Sequence, residues 1–272
     1  MEEILISDFQ GLDDKALIDA VNQSNELHVN FGDFEGQPSL AFLRDHSGVT
    51  KLNLFNLPKN WVPDFNQKSL ENLTNLQIHF NQAKDNLDNL KVLHKLKSLS
   101  MSSFYLNDLD FFEKFKNLRG LSLGGGKFKD FNHLRLEKLE KLALTEISAE
   151  RLNEAFVETL KSIRFLRMVK IPKLAHLPNF LSFQVLETAM FVMMKDLSSI
   201  GGLAKAPMLK NLVINQCPLL KPEHLFKFKD HPTLRTLEYE THSPSKSRKL
   251  LEVFPKRVHI GPFNWNQLEA EQ

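Results

Sequence analysis

Gly120, Ser122 and Gly124, inside the run LRGLSLGGGKF from Leu118 to Phe128, spell the G-x-S-x-G of a serine-hydrolase nucleophile elbow. Gly124 to Gly126 followed by Lys127 offer the rim of a phosphate-binding loop in the same stretch. The first chemistry would be acyl transfer by Ser122 with a histidine base such as His79; the second would be a cradle for an anion. Neither fits its surroundings. An elbow serine stands at a sharp strand-to-helix turn, whereas Ser122 lies between Leu121 and Leu123 in an alternating run, and no helical pattern begins after Gly124. A phosphate loop anchored on Gly126 and Lys127 needs a glycine at position 121 and Ser or Thr at 128, where the chain has Leu121 and Phe128. The three glycines read instead as a tight exit from a strand, where positive φ or close approach of a neighbouring segment is needed.

The remaining reactive residue types read the same way. His224 and His231 are seven positions apart, two helical turns rather than one, and no cysteine completes a zinc pattern, so no metal or cofactor is expected. Cys217 is the single cysteine, which excludes an internal disulfide, and its place in the pattern described below is inward. The stretch SPSKSRKLLEVFPKR offers Lys246, Arg248, Lys249, Lys256 and Arg257 to phosphates but lacks interleaved aromatics, so it reads as a solvated return.

A net charge of only +2 over 272 residues argues against a main role on a nucleic-acid backbone. The charge is unevenly placed. Residues 1–48 hold ten acidic residues against Lys15 and Arg44, a net of −8, which leaves +10 for the remainder. No run approaches eighteen apolar residues, and the start MEEILISDFQG has neither a basic n-region nor an apolar h-region, so the expectation is a cytoplasmic protein without a membrane span.

Self-similarity organises the chain. The spacing L-x-x-L-x-L recurs at Val49/Leu52/Leu54, Leu73/Leu76/Ile78, Leu96/Leu99/Met101, Leu118/Leu121/Leu123, Leu139/Leu142/Leu144, Ile163/Leu166/Met168, Leu209/Leu212/Ile214 and Leu234/Leu237/Tyr239. Weaker copies are read at Phe183/Leu186/Thr188, Val258/Ile260 and Val29/Phe31, which puts the middle apolar positions 20 to 26 residues apart. Each copy alternates with period two, so its leucine pair points inward and its neighbours outward, as in a strand. One such unit cannot bury its own apolar face, and stacking many units makes a continuous core.

The pattern resembles that of leucine-rich-repeat proteins, L-x-x-L-x-L-x-x-N/C-x-L, best in LKNLVINQCPL, with Cys217 and Leu219, and in LTNLQIHFNQA, with Asn81. Elsewhere the Asn/Cys position holds Phe104, Gly126, Ile147, Ile171 and Phe191, so packed side chains replace an Asn ladder. The resemblance implies an α/β solenoid, a horseshoe or arc with a concave parallel sheet and helical or irregular convex returns. The expected organisation is one domain over 1–272, with an N-terminal cap at 1–26, about ten repeats over 27–260 and a C-terminal cap and tail at 261–272. The caps would use the Ile4 to Ile6 strand and a helix near Asp13 to Val21 at one end, and Phe263 and Trp265 at the other. Helical returns are expected at Leu87/Leu90/Leu93, Leu109/Phe112/Phe115 and 222–228, and after Ser148 as an N-cap.

The resemblance also makes the outward side of the strands the working surface. By the register above, the middle units present Ser98, Ser100, Ser102, Gly120, Ser122 and Gly124, while Phe165, Val169, Val185 and Val213 form an apolar patch bordered by Arg167 and Glu187. Phe55, His79, Glu238 and Glu240 point outward on other strands. The expected function is therefore a non-enzymatic, monomeric protein-binding module. Members of the resembled family include tight nuclease inhibitors, and together with the acidic first 48 residues this points to an inhibitor or immunity protein against a basic toxin or nuclease. The alternatives are a nucleic-acid adaptor using the basic stretch, a less expected partner class, and a Ser122-dependent hydrolase.

Overall fold

In the computed structural model the described residues are 3–5, 25–32, 40, 43, 48–57, 63–66, 68–80, 87–106, 109–128, 136–148, 152, 161–177, 184–240 and 250–261. The chain divides into two compact units, Met1–Leu139 and Glu140–Gln272. The first carries β1 (Glu3–Leu5), β2 (Glu26–Asn30), β3 (Lys51–Leu57), β4 (Asn75–Phe80), β5 (Ser98–Ser102) and β6 (Gly120–Gly124). The second carries β7 (Lys141–Thr145), β8 (Phe165–Val169), β9 (Thr188–Val192), β10 (Asn211–Asn215), β11 (Thr236–Glu240) and β12 (His259–Ile260). Within each unit consecutive strands pair in parallel and in chain order. Each unit is thus a stack of leucine-rich-repeat turns.

The alternation of the sequence becomes an alternation of burial. Leu27, Leu52, Leu76, Leu99 and Leu121 form one inward column of the first unit, and Val29, Leu54, Ile78, Met101 and Leu123 the next. In the second unit the columns are Leu142, Leu166, Ala189, Leu212, Leu237 and Leu144, Met168, Phe191, Ile214, Tyr239. Each buried aliphatic side chain removes enough apolar surface to stabilise its turn by roughly 1.5–3 kcal/mol.

Three registers differ from the sequence expectation. β9 does not use Phe183/Leu186/Thr188: Ala189 pairs with Leu166 and Leu212, and Phe191 with Met168 and Ile214, so the triplet is Leu186/Ala189/Phe191. At the ends, Leu27 rather than Val29 pairs with Leu52, and Ile260 rather than Val258 pairs with Leu237. The middle positions become 27, 52, 76, 99, 121, 142, 166, 189, 212, 237 and 260, a narrower spacing of 21 to 25 residues. The shift at β9 also moves the Asn/Cys-equivalent position from Phe191 to Met194, which is buried. At the end of LKNLVINQCPL, Leu219 is exposed and Leu220 takes the buried place.

The returns are mostly 3₁₀ rather than α-helical, at Asp88–Val92, Asp110–Lys114 and Gly201–Lys205. Their spacing explains this. Leu87, Leu90, Leu93 and Leu96 recur every third residue, as do Leu109, Phe112, Phe115 and Leu118, and Ile200, Leu203, Ala206 and Leu209. Three residues per turn align all of them on one inward line, where an α-helix would rotate them apart. Each buried N–H in these runs donates to the carbonyl of the buried residue three positions earlier, as in Leu93 to Leu90 and Phe115 to Phe112, so the inward backbone is satisfied. Pro222 does open a short α-helix, Pro222–Leu225, which continues as 3₁₀ over Phe226–Phe228. The expected helices near 13–21 and after Ser148, and the cap residues Phe263 and Trp265, lie outside the described residues.

Strand exits share one device. The residue after the strand adopts left-handed φ at Ser103, Gly125, Glu146, Lys170, Met193 and Gln216, and Asn56 does so near the end of β3. At Ser103, Glu146, Lys170, Met193 and Gln216 the N–H then donates to the last carbonyl of the next strand, as in Ser103 to Gly124 at 2.8 Å and Met193 to Asn215 at 2.9 Å. Gly125 of the glycine run is thus one of these exits, with φ of 57°. Gly126 serves packing: a Cβ there would lie 2.2 Å from the ring of Phe104.

Candidate functional site

The outward side chains differ between the two units. In the first unit they are polar or small apart from Phe55, and several contact one another. Glu26 lies 3.4 Å from Lys51 and 3.5 Å from His28, and the ring of His28 stacks on Phe55 with centroids 6.4 Å apart. Ser102 Oγ and His79 Nδ1 share a hydrogen bond of 2.8 Å. Ser122 stands mid-strand beside Ser100, and His79, paired with Ser102, sits two strands away and two residues further along, about 12 Å by strand spacing and rise. The structure therefore does not bring His79 to Ser122 as a base.

In the second unit the outward rows can be read across the register. The first row is Lys141, Phe165, Thr188, Asn211, Thr236; the middle row Ala143, Arg167, Met190, Val213, Glu238; the third Thr145, Val169, Val192, Asn215, Glu240. Met190 and Val213 pack together at 1% exposure each, with half-buried Phe165 and Val192 against them. Val169 is buried as well, at 9%.

Of the residues anticipated from sequence, Phe165 and Val213 do meet, but with Met190 and Val192, not Val185. Val185 is 40% exposed in the return before β9, and Ala189 points inward. Glu187 also precedes the strand. It accepts hydrogen bonds from Arg164 Nε at 2.9 Å and Lys210 Nζ at 2.7 Å, the residues one position ahead of β8 and β10. Burial alone would raise the Glu187 pKa, yet these two cations outweigh it and hold the carboxyl below its usual range. Its role is thus an edge ion ladder. Met190 and Val192 escaped the sequence reading because Phe183 and Thr188 also fit a loose repeat; the even spacing of 23 residues from Leu166 to Ala189 to Leu212 is the signal that selects them.

Charge surrounds the apolar cluster asymmetrically. Arg167 is exposed beside Met190 and makes no ion pair or hydrogen bond among the described residues. On the opposite side stand half-buried Glu238 and exposed Glu240, the latter accepting from Asn215 Nδ2. Phe55 and His79 belong to the first unit.

The other candidates have structural duties. Cys217 is buried, its thiol near the carbonyl of Phe191 at 3.4 Å, and desolvation pushes its pKa up to about 11, so it is a thiol at neutral pH. His224 accepts from the Lys221 backbone N–H at 3.2 Å, and His231 Nε2 lies 3.0 Å from the Ala206 carbonyl. Arg257 bonds the carbonyls of His231 and Pro232, while Lys246, Arg248 and Lys249 lie outside the described residues. Among the described residues no group of three or more His, Cys, Asp and Glu side chains gathers as for a metal, and no helix is long and apolar enough to cross a membrane.

No protein-family model and no curated protein matches the chain. Among solved structures it is similar to an internalin (inlF) from Listeria monocytogenes, at 17% identity and TM-score 0.47 over 92% of this chain and 64% of that one. It is also similar to internalin C2 from the same organism, at 22% identity and TM-score 0.45 over 75% of this chain and 85% of that one. The chain thus spans about two thirds of the first internalin's length.

Proposed function

We propose that the protein is a non-catalytic binding module that holds a partner protein on the outward face of its second unit. The observation that carries this reading is the apolar cluster of Phe165, Met190, Val192 and Val213 on the side of the sheet away from the core, beside the unpaired Arg167. A half-exposed aromatic next to a guanidinium is the pair of residue types that dominates binding hot spots. The narrower form is a cytoplasmic, monomeric inhibitor or immunity protein of a basic toxin or nuclease. The net −8 of residues 1–48 supports it, because such a charge attracts a cationic partner and speeds encounter. Affinity capture from native lysate tests the reading with wild type and a Phe165→Ala/Arg167→Ala variant of unchanged circular dichroism. The expected result is a protein retained by the wild type and lost from the variant; equal retention by both would move the site elsewhere.

A further inference from the structure

We infer that the outward face of β8 to β11 reads one ordered motif in its partner: an extended segment laid across the strands, with a carboxylate at Arg167, an apolar side chain over Met190 and Val213, and a cation at Glu238. The inference rests on the protein-binding reading above and specifies its chemistry. The order comes from the middle outward row, in which Arg167, Met190, Val213 and Glu238 are register neighbours on four successive strands. Met190 and Val213 are the buried floor of that row, and Phe165 and Val192 the half-exposed walls. An apolar side chain seated there covers the half-exposed surface of Phe165 and Val192, since Met190 and Val213 are already shielded from water.

Charge fixes the direction. Along the edges of the second unit several cations are held by the protein's own acceptors: Arg164 and Lys210 by Glu187, Lys170 by Glu146, Arg257 by backbone carbonyls. Arg167, on the outward face itself and in register with the buried Met190, makes no such contact among the described residues. A planar guanidinium with its donors unused takes a carboxylate in bidentate fashion. At the other end of the row Glu238 and Glu240 put two carboxylates on one strand, so the reversed segment would meet like charge at both ends.

Spacing sets the length. Four neighbouring strands span three intervals of about 4.8 Å, or about 14 Å. An extended chain covers that in about four steps of roughly 3.3 Å, that is, over about five residues. Its side chains alternate, so those facing the sheet are the first, third and fifth. The motif is therefore acidic, any, apolar, any, basic, with the apolar residue falling between Met190 and Val213.

A random-peptide phage library selected on the full-length protein tests this. The expected result is enrichment of that five-residue order on wild type. A synthetic peptide carrying it should bind about tenfold more weakly to Arg167→Glu, and recover when its acidic residue is changed to lysine. Because Arg167 is exposed and unpaired, this variant keeps the fold, which its thermal melt checks. Peptides that depend on Phe165 but show no charge order, or no such recovery, overturn the motif and leave the binding face standing. Peptides that bind Phe165→Ala as well as wild type overturn the face itself, and failure to enrich any peptide overturns recognition of an extended segment.

Discussion

The outward surfaces of the two units are built on the same strand geometry and show opposite chemistry. In the first unit the middle row reads His28, Asn53, Gln77, Ser100, Ser122, where His28 lies within hydrogen-bond distance of Asn53 and its ring stacks on Phe55. In the second unit the same row reads Ala143, Arg167, Met190, Val213, Glu238, with a small apolar core of its own between opposite charges. Inward columns are alike in both units because stacking demands them. Outward rows are under no such demand, and the proposed binding face rests on the departure there. The strand exits differ too. The first unit has Gly125 alongside Ser103 at positive φ after its strands, whereas the second uses Glu146, Lys170, Met193 and Gln216, all residues that adopt it at a cost.

The largest expected effect tests the register on which this comparison depends. Phe191 is fully buried in line with Met168 and Ile214, so Phe191→Ala should cost about 3–5 kcal/mol in denaturant unfolding. Val185→Ala, in the exposed return, should stay within about 0.5 kcal/mol. Comparable losses from the two substitutions would restore the alternative alignment and remove Met190 from the outward face.

That alignment marks where sequence legibility ended. The inward columns could be read because leucine at alternating positions has one physical explanation, burial against neighbouring turns. The glycine run could be read as a strand exit, and Gly125 and Gly126 are needed there for φ and for the Phe104 ring. Over residues 185–193 the sequence VLETAMFVM is apolar on both faces, so periodicity does not distinguish inside from outside, and the alanine at the middle position hides the repeat. At β2 and β12 the register slipped by two residues, which preserves facing and so leaves no pattern to betray it. Arg167 as an outward cation was legible; its lack of a partner, and the pairing of Glu187 off the strand, were not, because they depend on neighbours more than twenty positions away.

Next in size, Met190→Ala should cost about 2 kcal/mol, at the lower end for a buried methionine because its cluster borders solvent. The equivalent change in the first unit, Ser100→Ala, should be near neutral, since Ser100 is half-exposed in a row of small polar residues. Equal costs would mean that the apolar cluster adds nothing beyond what the polar row already supplies.

Glu187→Gln probes the edge ladder. A carboxylate whose folded pKa lies below its unfolded one stabilises the fold above the unfolded value, near 4.5, and that contribution is lost as pH falls through the folded pKa. The variant should thus be less stable than wild type by about 1 kcal/mol at pH 7, a figure kept small because Arg164 and Lys210 are half-exposed. The two proteins should converge as pH is lowered below 4.5. A gap that stays constant with pH would show that Glu187 acts by packing rather than charge.

The smallest effect concerns the exits and has the opposite sign. Gln216 is exposed at φ of 53°, its N–H bonded to the carbonyl of Glu240, and its side chain makes no hydrogen bond among the described residues, so glycine removes the Cβ penalty and little else. The unfolded chain gains freedom from the same change, which offsets part of the relief. Gln216→Gly should raise stability by about 0.5 kcal/mol, while Gly125→Ala in the first unit should lower it by about 1 kcal/mol. Because the two exits share one backbone conformation, only a pair of opposite signs fits a common left-handed turn. Destabilisation by both would mean that the second unit relies on its exit side chains for something other than the turn.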